Sequence, residues 1–179
     1  KIAKDYGANV PFIRPKELAD DFATTQQVIE HSIKWLSTKN ISYDNVCCIY
    51  ATAPLIQIKD LKDSLLLLEQ SIDDVYVFVV TSFPFPIFRS FFIDEKGYSS
   101  MLYPENYFKR SQDFKEVYHD AGQFYWAKPQ TWIDFKNIFQ RAKPLVIPRW
   151  RVQDIDNEED WMRAELLHQL LMKQGMIHG

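Results

Sequence analysis

The run Val75 to Val80 constrains the fold more than any other segment of the chain. It holds six residues, each of them Val, Tyr or Phe, closed off by Asp74 before it and Thr81 after it. β-branched and aromatic side chains favour extended backbone, and a strand without polar alternation needs apolar cover on both faces. Helices layered on a sheet supply such cover. Val46 to Tyr50 repeats the pattern and reads as a second fully buried strand, ending in the loop Ala51-Thr52-Ala53-Pro54. Around these strands the apolar spacing turns helical. Val28, Ile29, Ile33 and Leu36 predict a helix from a Thr24 or Thr25 cap to about Thr38, and Leu61, Leu65 and Leu68 share one face of a helix from Leu61 to Gln70. Helices alternating with continuous apolar strands predict an α/β fold with a largely parallel sheet.

The remaining elements follow from local signals. Lys1 to Ala8 reads as the tail of a helix capped by Gly7, and Val10 to Arg14 as extended chain before Pro15. Phe83-Pro84-Phe85-Pro86 interrupts the alternation, and Ile87 to Ile93 and Tyr98 to Tyr103 flank Asp94-Glu95-Lys96-Gly97 as a hairpin. Phe124 to Ala127 is a candidate strand and Trp132 to Phe139 a short helix, with Leu145 to Ile147 and Arg149 to Gln153 extended around Pro148. The last helix opens at Asn157, places Glu158, Glu159 and Asp160 in its first turn, buries Trp161, Leu166, Leu167, Leu170 and Leu171, and ends at Gly175. No repeat or linker divides the chain, which predicts one domain over residues 1–179 with an inserted hairpin arm at about 83–108.

Composition narrows the function classes. Lys and Arg number 21 against 24 Asp and Glu, a formal charge of −3, which argues against nucleic acid or an anionic membrane as the main partner. No segment approaches the ~20 apolar residues of a membrane span. Five glycines occur in the 179 residues, where average usage predicts roughly 13, and no glycine-rich phosphate cradle is present in this sequence. The two cysteines, Cys47 and Cys48, are adjacent inside an apolar run, read as reduced buried thiols, and fit a cytoplasmic location.

Asp154-Ile155-Asp156 is the most informative local feature. In extended chain, residues two apart face the same side, so the two carboxylates project together as hard oxygen ligands suited to Mg²⁺. The same acidic residues also suit the dipole of the helix that follows. A second cluster comprises Arg110-Ser111-Gln112 and Tyr118 to Trp126; it is read either as the lining of a pocket for a polyhydroxylated ligand or as turn and core. Arg14 offers its planar fork to a phosphate or carboxylate, or to a loop ion pair with Asp20 or Asp21. His31 reads as a structural histidine, and His168 and His178 lack metal-like spacing. No Cys-His or Ser-His-Asp nucleophile set is evident.

Six motifs in order resemble the acylneuraminate cytidylyltransferases, the CMP–sialic acid synthetase family, over about residues 1 to 171. They are Arg14 to Asp21, Val28-Ile29-Glu30-His31, Tyr50 to Pro54, Arg110-Ser111-Gln112, Asp120 to Trp126, and Arg151-Val152-Gln153-Asp154-Ile155-Asp156. The resemblance implies a Rossmann-like layered, mostly parallel sheet of the nucleotide-diphospho-sugar transferase type, with the hairpin as a dimerisation arm. It implies a nucleotidyltransferase that couples CTP to a nine-carbon acidic sugar, giving CMP-sugar and pyrophosphate, with Mg²⁺ as cofactor and a homodimer as the working form. Carried over by residue, Asp154 and Asp156 match the metal-binding pair and serve catalysis. Arg110, Gln112, Gln123 and Tyr125 match sugar-contacting positions, Thr52 and Pro54 match a substrate loop, and Arg14 belongs to the same substrate-binding set. The family's sialic acid members show Gln-Pro-Thr-Ser-Pro-Leu-Arg at that loop. Tyr50-Ala51-Thr52-Ala53-Pro54-Leu55-Ile56 departs from it and favours the branch that handles pseudaminic-type sugars. The family's opening strand and triphosphate loop have no counterpart ahead of Lys1, so an N-terminally incomplete sequence is expected. Two other readings are a catalytically inactive remnant that binds or oligomerises, and a different nucleotide-sugar enzyme using an acidic pair on the same kind of fold.

Overall fold

A computed structural model describes residues 1–175; the His178 reading lies outside them. The elements in chain order are α1 (Ile2–Asp5), α2 (Thr25–Ser37), β1 (Val46–Ile49), α3 (Ile58–Glu69), β2 (Tyr76–Ser82), β3 (Phe91–Ile93), β4 (Ser99–Met101), β5 (Tyr118–Ala127), α4 (Pro129–Asp134), β6 (Ala142–Val146) and α5 (Glu158–Lys173). The chain is α/β, with a four-stranded sheet in the order β1-β5-β2-β6 and a separate antiparallel pair, β3-β4.

The sheet is mixed. β2 pairs with β6 in parallel, while β5 runs antiparallel to both β1 and β2. The largely parallel pairing expected from sequence is therefore corrected, for a physical reason. A continuous apolar run reports burial on both faces and says nothing about the direction of the neighbouring strands. Here the chain leaves β2, forms the hairpin arm, and re-enters the sheet in reverse as β5. β1, β2 and β6 share one direction, and β5 lies between the first two.

β2 is the strand its composition predicts. Tyr76, Phe78 and Val80 pack on one face with Ile33, Tyr125 and Trp132, while Val79 packs on the other with Ala121, Phe124 and Ile147. Full burial of each such side chain contributes about 1.5–3 kcal/mol. The Tyr76 hydroxyl donates to the carbonyls of Phe135 at 2.9 Å and Thr131 at 3.1 Å, so its polar end is satisfied inside the core. β1 is an edge strand with one neighbour, half-buried along most of its length, and Ile49 is 54% exposed; full burial of this strand is not what the fold provides.

Thr24 caps α2 through a reciprocal pair: its hydroxyl accepts from Gln27 N, and the Gln27 side chain accepts from Thr24 N. On this helix Glu30 meets Lys34 at 2.6 Å, Lys136 at 3.0 Å and Gln26 at 2.9 Å. The Lys34 and Lys136 hydrogen bonds lead in pulling its carboxyl from 4.5 down to about 2. A depressed folded pKa adds stability that is present above the unfolded value and disappears as pH falls through the folded one. Glu30→Gln is expected to flatten the acid limb between about pH 5 and pH 2. It should cost about 1–2 kcal/mol at neutral pH, because both lysines are largely exposed and screened. Urea unfolding at several pH values checks this.

Three further expectations are corrected. The short helix begins at Pro129, whose fixed φ suits a first helical position, and ends at Asp134, short of the predicted Trp132 to Phe139 span. Arg149–Arg151 form a 3-10 turn where extended chain was expected. α5 buries Ala164 and Leu171, whereas Trp161, Leu166 and Leu170 are exposed. Apolar residues surround this helix on several sides, so the packing partner selects the buried face.

Candidate active site

The site is built where β5 is irregular. Val80 pairs with Asp120 and Phe78 with Tyr125, so two steps along β2 oppose five along β5. The bulge between them contains Gly122 with φ +62°, a conformation that side-chain-bearing residues rarely take. A Cβ on Gly122 would stand 3.2–3.3 Å from the Cγ and both carboxylate oxygens of Asp154. The missing side chain thus makes the space in which the Asp154 carboxylate lies against β5. Gly122→Ala is expected to cost about 1–2 kcal/mol through its left-handed backbone alone and to displace the carboxylate, lowering turnover at least ~10-fold; thermal melts and initial rates check both parts.

Asp120 is fixed by its own strand. One carboxylate oxygen accepts from Gly122 N at 3.2 Å, and the other accepts from the buried Tyr125 hydroxyl. Burial, reinforced by this carboxylate, drives the Tyr125 hydroxyl well above the usual phenol range. Tyr125 stacks beside Tyr50 and Phe78, with ring centroids 5.2 and 5.7 Å away. Partial burial, then Asp156, Asp120 and Asp160, pushes the Asp154 carboxyl up. The result is a patch of carboxylates that repel one another, with no ion pair to Asp154 among the described residues.

The segment carrying Asp154 is held from behind. Arg151 turns inward to Asp60 of α3, with Nη1 2.6 Å from one carboxylate oxygen and Nη2 3.4 Å from the other. Gln123 Nε2 donates to the Arg151 carbonyl at 2.8 Å. After the acidic segment, Asn157 caps α5 by accepting from Asp160 N at 3.0 Å. Clefts of about 500 and 350 Å³ open on either side, both lined in part by Asp120 and Asp154. A third, of about 430 Å³, lies between the Thr52–Pro54 loop and α5, with Ile155 in its wall.

No family model matches the chain. Two relatives from Campylobacter jejuni, both pseudaminic acid cytidylyltransferases, are 37% identical over 171 residues, 95% of this chain and 73% of theirs. The chain belongs to the pseudaminic acid cytidylyltransferase family. A Helicobacter pylori protein, a pseudaminic acid cytidylyltransferase and UDP-2,4-diacetamido-2,4,6-trideoxy-beta-L-altropyranose hydrolase, is 38% identical over 155 residues, 86% of this chain and 29% of that protein.

Of the residues singled out from sequence, Asp154 and Tyr125 border one cleft and meet through Asp120, and Asp156 adds its charge to Asp154. Thr52 and Pro54 line the neighbouring cleft. Gln123 is buried and its amide nitrogen is engaged by Arg151. Arg110 is exposed, with Nε and Nη2 each 2.9 Å from an Asp113 carboxylate oxygen, and Gln112 sits in the same exposed turn. Arg14 donates to the Leu18 carbonyl at 3.3 Å; it forms no ion pair with Asp20 or Asp21. Sequence reasoning missed the Asp60–Arg151 pair, which joins residues 91 apart without any local signal. Burial raises Cys47 to about 12 and Cys48 to about 11, so neither is a thiolate at neutral pH.

Proposed function

We propose that this chain catalyses CMP transfer from CTP to pseudaminic acid, giving CMP-pseudaminic acid, pyrophosphate and a proton, with Asp154 and Asp156 holding Mg²⁺. The observation that carries this reading is the Asp154 carboxylate seated against Gly122 beside Asp120 and Asp156, with no cation of the described chain paired to it. Membership of the family supplies the reaction class.

The donor set fits the ion. Among the described residues no three His, Cys, Asp or Glu side chains converge into a closed metal cage. Two carboxylates that leave room for water and substrate phosphate are how Mg²⁺ is commonly held. When bound, Mg²⁺ supplies positive charge against the charge that develops on the α-phosphate and on the departing pyrophosphate. The chain's own residues do the positioning. Gly122 seats Asp154, Tyr125 and Gly122 N hold Asp120, and Arg151 with Gln123 anchors the segment leading to the acidic pair. The acceptor's anomeric hydroxyl attacks the α-phosphorus as the bond to pyrophosphate breaks.

The hairpin exposes Phe91, Phe92, Ile93 and Tyr98, which supports a homodimer formed through this arm. Among the described residues no helix is long and apolar enough to cross a membrane; a cytoplasmic location, where CTP is available, is part of this reading. Incubation with CTP, Mg²⁺ and either pseudaminic acid or N-acetylneuraminic acid tests the assignment. CMP-pseudaminic acid is the expected product, formed at least ~10-fold faster than the sialic acid analogue. Absence of any CMP-sugar from pseudaminic acid would sink the reading, and a preference for sialic acid would overturn the acceptor.

A further inference from the structure

The cleft of about 350 Å³ beside Asp154 is lined by charges of both signs. Asp120 and Asp154 contribute the negative charges, while Arg149, from the turn after β6, and Arg163, from the second turn of α5, contribute the positive ones. Arg163 forms no ion pair and no hydrogen bond among the described residues. Arg149 donates through Nη1 to the Phe83 carbonyl at 3.1 Å, which orients the guanidinium and leaves the rest of its fork free. Arg110, which by resemblance matches a sugar-contacting position, is instead engaged by Asp113 along its Nε–Nη2 edge, on an exposed turn away from this cleft.

Two uncommitted guanidinium groups in the same cleft as two carboxylates suit a ligand that is anionic at one end and reacts at the other. The ring form of a 2-keto sugar acid has this build, because its carboxylate and anomeric hydroxyl are attached to the same carbon. A carboxylate gripped at the arginine end directs the neighbouring hydroxyl toward Asp154. A phosphate would satisfy the same arginines. The cleft is near the small end of ligand sites, roughly 300–1,000 Å³, which suits a monosaccharide acid better than a nucleoside triphosphate.

We propose that Arg163, supported by Arg149, binds the carboxylate of the acceptor sugar and thereby orients its anomeric hydroxyl toward Asp154. This rests on the reading that a nine-carbon sugar acid is the acceptor. It assigns substrate recognition to two residues outside the sequence-derived set.

The test compares pseudaminic acid with its methyl ester, in which the carboxylate charge is removed. Ligand-observed NMR titration of the full chain should show the acid binding at least ~10-fold more tightly than the ester, the scale expected of a charge-assisted hydrogen-bonded pair. Arg163→Gln should reduce that preference to about threefold or less and leave CTP affinity within about twofold. Arg163→Lys should recover part of the preference, because it keeps the charge and loses the fork. Arg149→Gln should lower it by a smaller factor. An acid-over-ester preference that persists in Arg163→Gln overturns the proposal, as does a wild-type chain that binds acid and ester alike. Loss of CTP affinity with the acid preference intact also overturns it and assigns the arginines to the triphosphate. Wild-type turnover measured alongside separates the two levels. CMP-sugar formation together with an unchanged Arg163→Gln preference rejects the carboxylate site alone, whereas no product from the wild type rejects the catalytic reading whatever the titration shows.

Discussion

Asp154→Asn is expected to lower the rate of CMP-pseudaminic acid formation about 10²–10³-fold, equivalent to ~3–4 kcal/mol of barrier. The substitution is isosteric and removes only charge, at the carboxylate seated against Gly122. Its effect on folding should be neutral or favourable. The Asp154 carboxyl is pushed up by burial and by Asp156, Asp120 and Asp160. A raised carboxyl pKa means that the folded chain holds the proton more tightly than the unfolded chain. The ionised group therefore opposes folding at neutral pH, and this opposition vanishes as pH falls below the unfolded value. Tm at pH 7 should not fall in the variant, and the rise in wild-type Tm on adding Mg²⁺ should largely disappear. Turnover within about threefold of wild type would remove Asp154 from the metal and catalytic assignment.

Arg151→Ala should destabilise the chain by about 3–5 kcal/mol, because it strands the buried Asp60 charge without its partner. The side chains of Arg151 and Asp60 are 14% and 8% exposed, so water gives little compensation. For a chain of this size the loss corresponds to a Tm drop of roughly 6–20 °C. The double variant Asp60→Leu with Arg151→Met should recover much of that stability, because replacing both charges removes the desolvation cost as well as the attraction. It should not recover turnover, since the pair anchors the turn that leads from β6 to Asp154. Urea unfolding of the two variants, with initial rates measured below both melting transitions, checks these expectations. A cost below about 1 kcal/mol for Arg151→Ala would show that the pair is not a structural anchor.

Much of the architecture was legible because its signals are local. The helix cap expected at Thr24 or Thr25, the apolar run of β2 and the Asp94-Glu95-Lys96-Gly97 hairpin each occupy a few consecutive residues. The cap forms at Thr24, β2 forms as expected, and the hairpin forms with shorter strands, Phe91–Ile93 and Ser99–Met101. Asp154-Ile155-Asp156 was visible for the same reason. Asp120 belonged in sequence to a cluster read either as pocket lining or as turn and core, because its place beside Asp154 depends on a bulge in β5. Arg110 matches a sugar-contacting position of the family in sequence, whereas in the fold Asp113 engages its Nε and Nη2.

The sequence by itself determined that this chain buries the two-faced strand β2 in an α/β fold, that an acidic pair precedes a capped helix, and which enzyme family its motifs resemble. Hydrophobic periodicity, capping chemistry and motif order are properties of neighbouring residues. The tertiary structure alone decided that β5 runs against its neighbours, that Gly122 yields its side-chain space to Asp154, and that Arg151 anchors while Arg163, unpaired among the described residues, shares the cleft with Arg149, which is held at one nitrogen by Phe83. Those outcomes depend on contacts between residues tens of positions apart, where strand direction, backbone approach and competition for a charged partner are settled by packing.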